Sequence, residues 1–171
     1  GEVDASEGNR GVFEILNSGS EFTQVDDANI TIVRQQATPS VAALLFEPEN
    51  VSIGTGASFT FGDDANTPAD QVMGVNSSVN LKNIVVNETS NPTVQSQIRS
   101  LTLEEDLTIE NGSAFDANGL DLDIEGDFLN AGDFISNGNT TTFNGTNDQT
   151  IAGKTTFYNV TKSTANTLGI H

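Results

Sequence analysis

Closely spaced carboxylates are the residues of this sequence whose chemistry could support a binding site. Between Leu120 and Phe128, apolar residues alternate with four acids, which are Asp121, Asp123, Glu125 and Asp127. Alternate side chains of a β-strand share a face, so these acids would form a ladder opposite the apolar residues. The ladder could bind calcium, which takes several oxygen ligands. We favour a solvated face that keeps a β rod soluble, because the spacing is that of neither an EF-hand nor a calcium-binding nonapeptide repeat.

Two further acidic clusters lie in segments rich in Gly, Pro and Asn. One cluster contains Asp63, Asp64 and Asp70 with Asn66, and the other contains Asp26, Asp27 and Asn29. Carboxylates and loop carbonyls together could bind calcium. Asp and Asn are also common in turns, because their side chains bond to the nearby backbone. We therefore predict no metal site and no cofactor, with calcium as the alternative that the loops leave open.

The other catalytic and surface chemistries find little support. Glycoside hydrolysis needs two carboxylates at a set separation, but with 24 acids in the chain some pair will have any separation. A polysaccharide lyase needs a base beside its calcium-binding acids, and here the basic residues are isolated. His171 is the only histidine and the chain has no cysteine, which argues against triads and thiol chemistry. Thr140–Thr142 and Thr155–Thr156 are too irregular for an ice-binding array. We predict that the protein is not an enzyme.

Charge excludes two more classes of partner. The 171 residues carry 24 acids against 6 basic side chains, a net charge of −18. Such a chain repels phosphate, so nucleic-acid binding and docking on anionic membranes are not expected. The longest apolar run, Val41–Phe46, is too short to span a membrane. The basic residues are spread singly: Arg10, Arg34, Lys82, Arg99, Lys154 and Lys162.

Short alternating segments predict an all-β fold. They are three to eight residues long, rich in Val, Ile, Thr and Phe, and bounded by Gly, Asn or Asp. A spacing of an aliphatic residue, two residues, Gly, two residues and Phe recurs from Leu16, Ile53 and Ile109, with a stretched copy from Ile135. The intervals between successive copies are unequal, which suits rungs of variable length. We interpret each copy as strand, Gly corner and strand, with the aliphatic residue and Phe facing a shared core.

This repeat favours a parallel β-helix over a sandwich, with coils of roughly 20 to 30 residues. We predict roughly six to eight rungs, in which Phe stacks over Phe and Ile over Ile about 4.8 Å apart. Residues 1–171 are predicted to form a single segment of a much larger repeat protein, irregular over 1–100 and regular over 101–171. Loops are expected to project where Pro and acidic turns occur: Ala37–Ser40, Phe46–Glu49, Gly62–Gln71 and Asn87–Pro92.

The segment from Leu107 to Val160 carries a resemblance to a known family. It contains Leu107-Thr-Ile-Glu-Asn-Gly-Ser-Ala-Phe, Leu120-Asp-Leu-Asp-Ile-Glu-Gly-Asp-Phe, Thr142-Phe-Asn-Gly-Thr-Asn-Asp-Gln-Thr-Ile-Ala-Gly and Thr156-Phe-Tyr-Asn-Val-Thr. It resembles the repeats of very large secreted β-helix proteins of Bacteroidetes, adhesin-like surface proteins exported by the type IX system, some of which serve gliding motility. The resemblance implies an extracellular, cell-surface stalk and carries no catalytic residues.

Fold and resemblance together predict a structural and interaction module of a cell-surface adhesin, used in attachment or gliding. Its expected partners are neighbouring repeats of the parent chain, and surface glycans or other cell-surface proteins. The alternatives are a calcium-dependent carbohydrate- or ligand-binding module, with a contact surface at the loops around Asp63 and Asn87, and a polysaccharide lyase fragment. The predicted core consists of Leu16, Phe22, Ile53, Phe59, Ile109, Phe115, Leu122, Ile124, Phe128, Phe134, Phe143, Ile151, Phe157 and Val160.

Overall fold

The chain folds into a succession of short β-strands, as seen in a computed structural model that describes residues 12–16, 19–35, 42–63 and 66–171. Those residues contain 19 strands and no helix, and hence no helix that could cross a membrane. The strands are β1 Phe13–Ile15, β2 Glu21–Gln24, β3 Asn29–Ile32, β4 Leu44–Phe46, β5 Asn50–Ile53, β6 Ser58–Phe61, β7 Val72–Ser77, β8 Asn83–Val86, β9 Thr93–Ser96, β10 Leu101–Leu103, β11 Leu107–Ile109, β12 Ala114–Asp116, β13 Leu122–Ile124, β14 Phe128–Asn130, β15 Asp133–Ile135, β16 Thr140–Phe143, β17 Gln149–Ala152, β18 Asn159–Lys162 and β19 Leu168–Ile170.

All strand pairs are parallel, and the strands lie on three faces. The first face is the sheet β1-β4-β7-β9-β12-β15, and the third face is the sheet β3-β6-β8-β11-β14-β17-β19. The second face is divided into the pair β2-β5 and the sheet β10-β13-β16-β18. Between these two parts, a single bridge from Leu81 to Leu103 replaces a strand. Consecutive strands move from face to face, so the chain winds as a β-solenoid.

The solenoid has about five turns, slightly fewer than the six to eight predicted from sequence. On the first face Phe13 is aligned with Leu44, whereas Phe115 is aligned with Phe134, which is much closer to it along the chain. The early turns are therefore long and the later turns short. The predicted all-β parallel helix is confirmed, and the coil lengths lie close to the range expected from the repeat.

The interior contains most of the predicted core. Eight of those residues are buried: Phe59, Ile109, Phe115, Leu122, Ile124, Phe128, Phe143 and Ile151. Four more are partly buried against the core: Phe22, Ile53, Phe134 and Phe157. Leu16 and Val160 are 49% and 53% exposed, so their assignment to the core is wrong. Leu16 follows the inward-facing Ile15 and so faces outward. Val160 is aligned with inward-facing residues, but it lies on the last strand of its sheet, so no neighbouring strand covers it on that side.

The glycines of the repeated motif take the corners, as predicted. Gly19, Gly56, Gly112 and Gly138 all have positive φ, between 72° and 93°, a conformation that suits glycine. The four copies do not stack on one another, however. Gly56 and Gly112 lie at two different corners, and Gly19 and Gly138 share the third corner but are several turns apart. Phe59 aligns with Ile30 and Ile84 rather than with another Phe of the motif. The motif therefore describes a local corner, and the predicted stacking of Phe on Phe holds only for Phe115 and Phe134.

Three features of the sequence analysis lie outside the described residues. They are Arg10, the loop Ala37–Ser40 and the carboxylate Asp64.

Candidate functional site

The alternating acids of 121–127 do not share one strand face. Leu122 and Ile124 of β13 are buried and Asp123 points outward, as the alternation predicts. Asp127 instead lies at the next corner, immediately before β14. Within the described part of the chain, no group of three or more His, Cys, Asp or Glu side chains is placed to hold a metal ion.

Asp127 belongs to a column of side chains that joins successive turns where the second face meets the third. The Asp106 amide donates to Asn83 Oδ1 (2.8 Å), the Asp127 amide to Asp106 Oδ1 (2.7 Å), and the Thr150 amide to Asp127 Oδ1 (2.7 Å). We call Asn83, Asp106, Asp127 and Thr150 the corner ladder. The side-chain oxygens of Asn83, Asp106 and Asp127 each satisfy a backbone N–H of the following turn, which stabilises the stacking of the coil.

Electrostatics around the corner ladder are uneven. Burial raises the pKa of Asp106, and the carboxylates of Asp127 and Glu105 raise it further, against the hydrogen bond from the Asp127 amide. Beside the ladder, Lys82 Nζ lies 2.9 Å from Glu104 and 3.7 Å from Glu105. The hydrogen bond between Lys82 and Glu104 raises the pKa of the lysine and lowers that of the glutamate. A single lysine thus offsets part of a dense band of negative charge.

Side-chain oxygens of Asp26, Asn29 and Asp63, in the loop clusters, accept hydrogen bonds within the protein. Asp26 Oδ1 accepts the Thr55 amide (3.0 Å), and Asn29 Oδ1 accepts the hydroxyls of Ser58 (3.0 Å) and Thr60 (2.8 Å). Asp63 Oδ1 accepts the Asn66 amide at 2.6 Å, which closes a local turn. These oxygens therefore join neighbouring turns or close loops. Asp70, with a positive φ of 55°, lies in the same turn-rich segment as Asp63.

The threonine run 140–142 alternates between the interior and the surface, and the histidine lies exposed just after the last strand. Thr141 is fully buried while Thr142 faces outward, so Thr140–Thr142 is not a flat surface array. His171 is exposed, and its backbone amide donates to the Ile151 carbonyl (2.9 Å), which continues the third face.

The clearest concave surface lies where the third face meets the first. Segments that join these faces shorten along the coil, from 62–71 to 87–92, then 110–113 and finally 131–132. A groove of about 590 Å³ lies along the short segments, beside the longer segment that contains Glu88. We call it the step groove, and it is lined by Glu88, Thr108, Ile109, Glu110, Asn111, Leu129, Asn130, Ala131, Ala152 and Gly153.

The step groove combines an apolar floor with an acidic rim. Thr108, Leu129 and Ala152 are aligned outward on three successive turns and form the floor. At the rim, the Glu88 amide donates to Glu110 Oε2 (2.8 Å). Next to it the two predicted contact loops meet, because the Asp70 amide donates to the Ser90 carbonyl (2.8 Å). Carboxylates can accept hydrogen bonds from the hydroxyl groups of a ligand. The aliphatic platform beside them can cover an apolar face of the same ligand.

Sequence reasoning named the loops around Asp63 and Asn87 but missed the groove itself. Glu88, Glu110 and Leu129 come together only because turns of different length are stacked in register. One signal was visible in the sequence: Phe128 and Leu129 are adjacent apolar residues, which breaks the alternation and places one of them outside.

A scan against protein-family models finds no match for the chain, and searches of curated proteins and of solved structures find none either.

Proposed function

We propose that this chain is a rod-forming structural and interaction module of a large extracellular cell-surface adhesin, used in attachment or gliding. The observation that supports this proposal is the continuous parallel register of the first and third faces, reinforced by the corner ladder. A coil in which every turn is bonded to the next transmits load along its axis without any catalytic group. The resemblance of 107–160 to exported surface repeats points the same way.

The acidic surface fits this role. Between Glu104 and Asp133 the sequence has ten carboxylates and no basic residue. Like charge on neighbouring rods keeps them apart and soluble. We propose that its partners are the neighbouring repeats of the parent chain, together with surface glycans or other cell-surface proteins.

Stretching a single molecule between two marker domains tests the mechanical proposal. We expect the later part of the coil to yield turn by turn, since each turn is bonded mainly to its neighbours. Each step should release about 19 to 23 residues, or roughly 65 to 80 Å of extended chain. Asp127→Ala, which removes one acceptor of the corner ladder, should lower the force of one step. Extension without any resolved force peak would contradict the proposal.

A second candidate function is ligand binding at the step groove, favoured by its apolar floor and by the meeting of the loops 62–71 and 87–92. A glycan array probed with and without calcium distinguishes the two candidates. Binding that is lost in Glu110→Gln and kept in the remote control Glu21→Gln would favour a binding module. Silence of the array under both conditions would favour the rod alone.

A further inference from the structure

The later turns contain four Asn-Gly pairs, and such a pair can change its own chemistry without an enzyme. The backbone nitrogen of the glycine attacks the carbonyl carbon of the Asn side chain, the C–N bond of the side-chain amide breaks, and ammonia leaves with the glycine proton. Water then opens the resulting cyclic imide to give Asp or isoaspartate. Glycine has no Cβ to hinder the attack. The pairs are Asn111-Gly112, Asn118-Gly119, Asn137-Gly138 and Asn144-Gly145.

At Asn111-Gly112, both reacting groups are free. The pair forms the tip of the turn between β11 and β12, which is closed by the Ser113 amide donating to the Glu110 carbonyl (3.1 Å). Asn111 and Gly112 are both exposed. Within the described ranges, neither the Asn111 side chain nor the Gly112 N–H has a hydrogen-bond partner. Because the attack is intramolecular, its rate depends on how easily the two groups can meet, and here no hydrogen bond of either group opposes it.

The side chains of Asn118 and Asn137 are held at the corner between the first and second faces. Asn118 Nδ2 donates to the Ser96 carbonyl (3.1 Å), and Asn137 Nδ2 donates to Asp116 Oδ1 (2.8 Å). Asp116 is itself buried, so its carboxylate is fixed by the surrounding coil. Each Asn side chain must therefore leave its partner before its carbonyl carbon can be attacked.

At Asn144-Gly145, the attacking nitrogen is held instead. Gly145 is buried, and its amide donates to Gln149 Oε1 (3.0 Å). Gln149 is 2% exposed, and its own side-chain amide donates to the carbonyls of Ile124 (2.9 Å) and Gly126 (2.6 Å). The glycine nitrogen can therefore react only after a buried network of hydrogen bonds has opened.

From this contrast we infer that Asn111 is a site of spontaneous deamidation, and that the folded coil protects the other three Asn-Gly pairs. Asn111 lines the step groove together with Glu88 and Glu110. Its conversion adds a carboxylate to this lining, and the isoaspartate product also adds one carbon to the backbone of the turn. The groove of an aged molecule is thus more acidic than that of a new one. The inference does not depend on the proposed adhesin role.

Peptide mapping by mass spectrometry, after incubation of the folded full chain at mildly alkaline pH, tests the assignment. Chymotrypsin, which cuts after Phe and Leu, places the four pairs in different peptides, whereas trypsin would leave them together, because no Lys or Arg lies between Arg99 and Lys154. We expect Asn111 to convert at least about fivefold faster than each other pair, since a hydrogen bond that must break first lowers the reactive population by about that factor.

The same incubation in concentrated urea separates the effect of the fold from that of the sequence. All four pairs should then convert at similar rates, because the hydrogen bonds that protect three of them are lost. Equal rates in the folded chain, or faster conversion at another pair, would overturn the inference. A lead of Asn111 that persisted undiminished in urea would also overturn it, since the sequence alone would then select the site.

Asp116 offers a matched pair of substitutions that tests the protection directly. Asp116→Ala removes the acceptor for Asn137 and should speed conversion there about fivefold, with the rate at Asn111 unchanged. Asp116→Asn keeps an acceptor oxygen and should leave Asn137 close to its wild-type rate. Asn144, whose protection does not involve Asp116, shows whether the whole coil has loosened. Equal acceleration at Asn137 and Asn144, or none at Asn137, would contradict protection by this hydrogen bond.

Anion-exchange chromatography of the aged protein follows the added charge. The wild type should develop a later-eluting, more acidic form, and Asn111→Gln should lose most of it, because a Gln side chain closes the corresponding larger ring far more slowly. Growth of the acidic form at the wild-type rate in Asn111→Gln would refute Asn111 as its source.

Discussion

The early and later turns enclose the same kind of core with very different lengths of chain. On the first face, Phe13 of β1 is aligned with Leu44 of β4, whereas Phe115 of β12 is aligned with Phe134 of β15 after a much shorter stretch of chain. The strands themselves remain short throughout. Most of the extra residues fall in the connection from the third face to the first, so chain length varies mainly at one corner of the coil. That corner is also where the step groove opens.

The cores of the two regions are built alike. Phe13, Phe22, Phe46 and Phe59 form one aromatic cluster, with ring centroids 4.9 to 6.4 Å apart. Phe115, Phe128, Phe134, Phe143 and Phe157 form another, at 5.3 to 6.3 Å. Aliphatic residues such as Ile84 and Val94 fill the turns between them. The stability of each region thus depends on aromatic packing, and its surface depends on loop length.

The largest loss of stability is expected from replacing the Phe of the repeated motif, which is Phe115 in the later turns and Phe22 in the early turns. Phe115 is fully buried, whereas Phe22 is partly buried near the first end of the coil. Phe115→Ala should lower the free energy of unfolding by about 3 to 5 kcal/mol, because it removes a buried ring and leaves a cavity. Phe22→Ala should cost less. Urea denaturation measures both, and equal losses would mean that the two regions are packed equally well.

The next largest losses of stability are expected from alanine substitutions at two corner glycines, one in a crowded corner and one in an open corner. Gly138 and Gly153 have nearly the same φ, 93° and 91°. A Cβ at Gly138 would meet nothing within 4 Å, whereas a Cβ at Gly153 would overlap the Asn130 carbonyl oxygen. Gly138→Ala should cost about 1 to 2 kcal/mol from backbone strain. Gly153→Ala should cost about 2 to 4 kcal/mol, because overpacking adds to that strain.

Thermal and urea denaturation of the two alanine variants provide the comparison. A Gly153→Ala variant no less stable than Gly138→Ala would show that the tight corner relaxes without cost.

The sequence predicted the coil because corners and strands have local signatures. Spacing alone predicts corners at Gly19, Gly56, Gly112 and Gly138, and the positive φ of each favours glycine. Alternation likewise placed Leu122 and Ile124 inside. Such features depend only on residues close in the chain.

Register could not be predicted in the same way. Whether Leu16 faces in or out depends on the register of β1 with β4 of the next turn, which is far from it along the chain. The corner ladder and the step groove arise from the same long-range alignment, because each joins residues of different turns. A one-residue shift would move every side chain to the opposite face.

The corner ladder gives a third comparison between the two regions. Asp127 accepts the Thr150 amide in the later turns, and Asp26 accepts the Thr55 amide in the early turns, but Asp26 is exposed and Asp127 is half-buried. Asp127→Ala should cost about 1 to 3 kcal/mol, because a partly buried N–H loses its partner. Asp26→Ala should cost less, since water replaces the carboxylate. Asp127→Asn keeps the acceptor and should retain most of the stability; a loss equal to that of Asp127→Ala would rule out the hydrogen bond as the cause.

The smallest effect is a pH dependence confined to the later turns. Burial raises the pKa of Asp106 above its usual 3.8, so the folded protein binds this proton more tightly than the unfolded chain does. The contribution of Asp106 to the free energy of unfolding therefore increases as the pH falls through its raised pKa towards 3.8. Asp106→Asn keeps the acceptor for the Asp127 amide and removes the buried charge. It should be more stable than the wild type at pH 7, by a margin that shrinks as the pH approaches 4. Urea midpoints at the two pH values measure this margin, and a margin that widened in acid would mean that Asp106 is stabilised as the carboxylate.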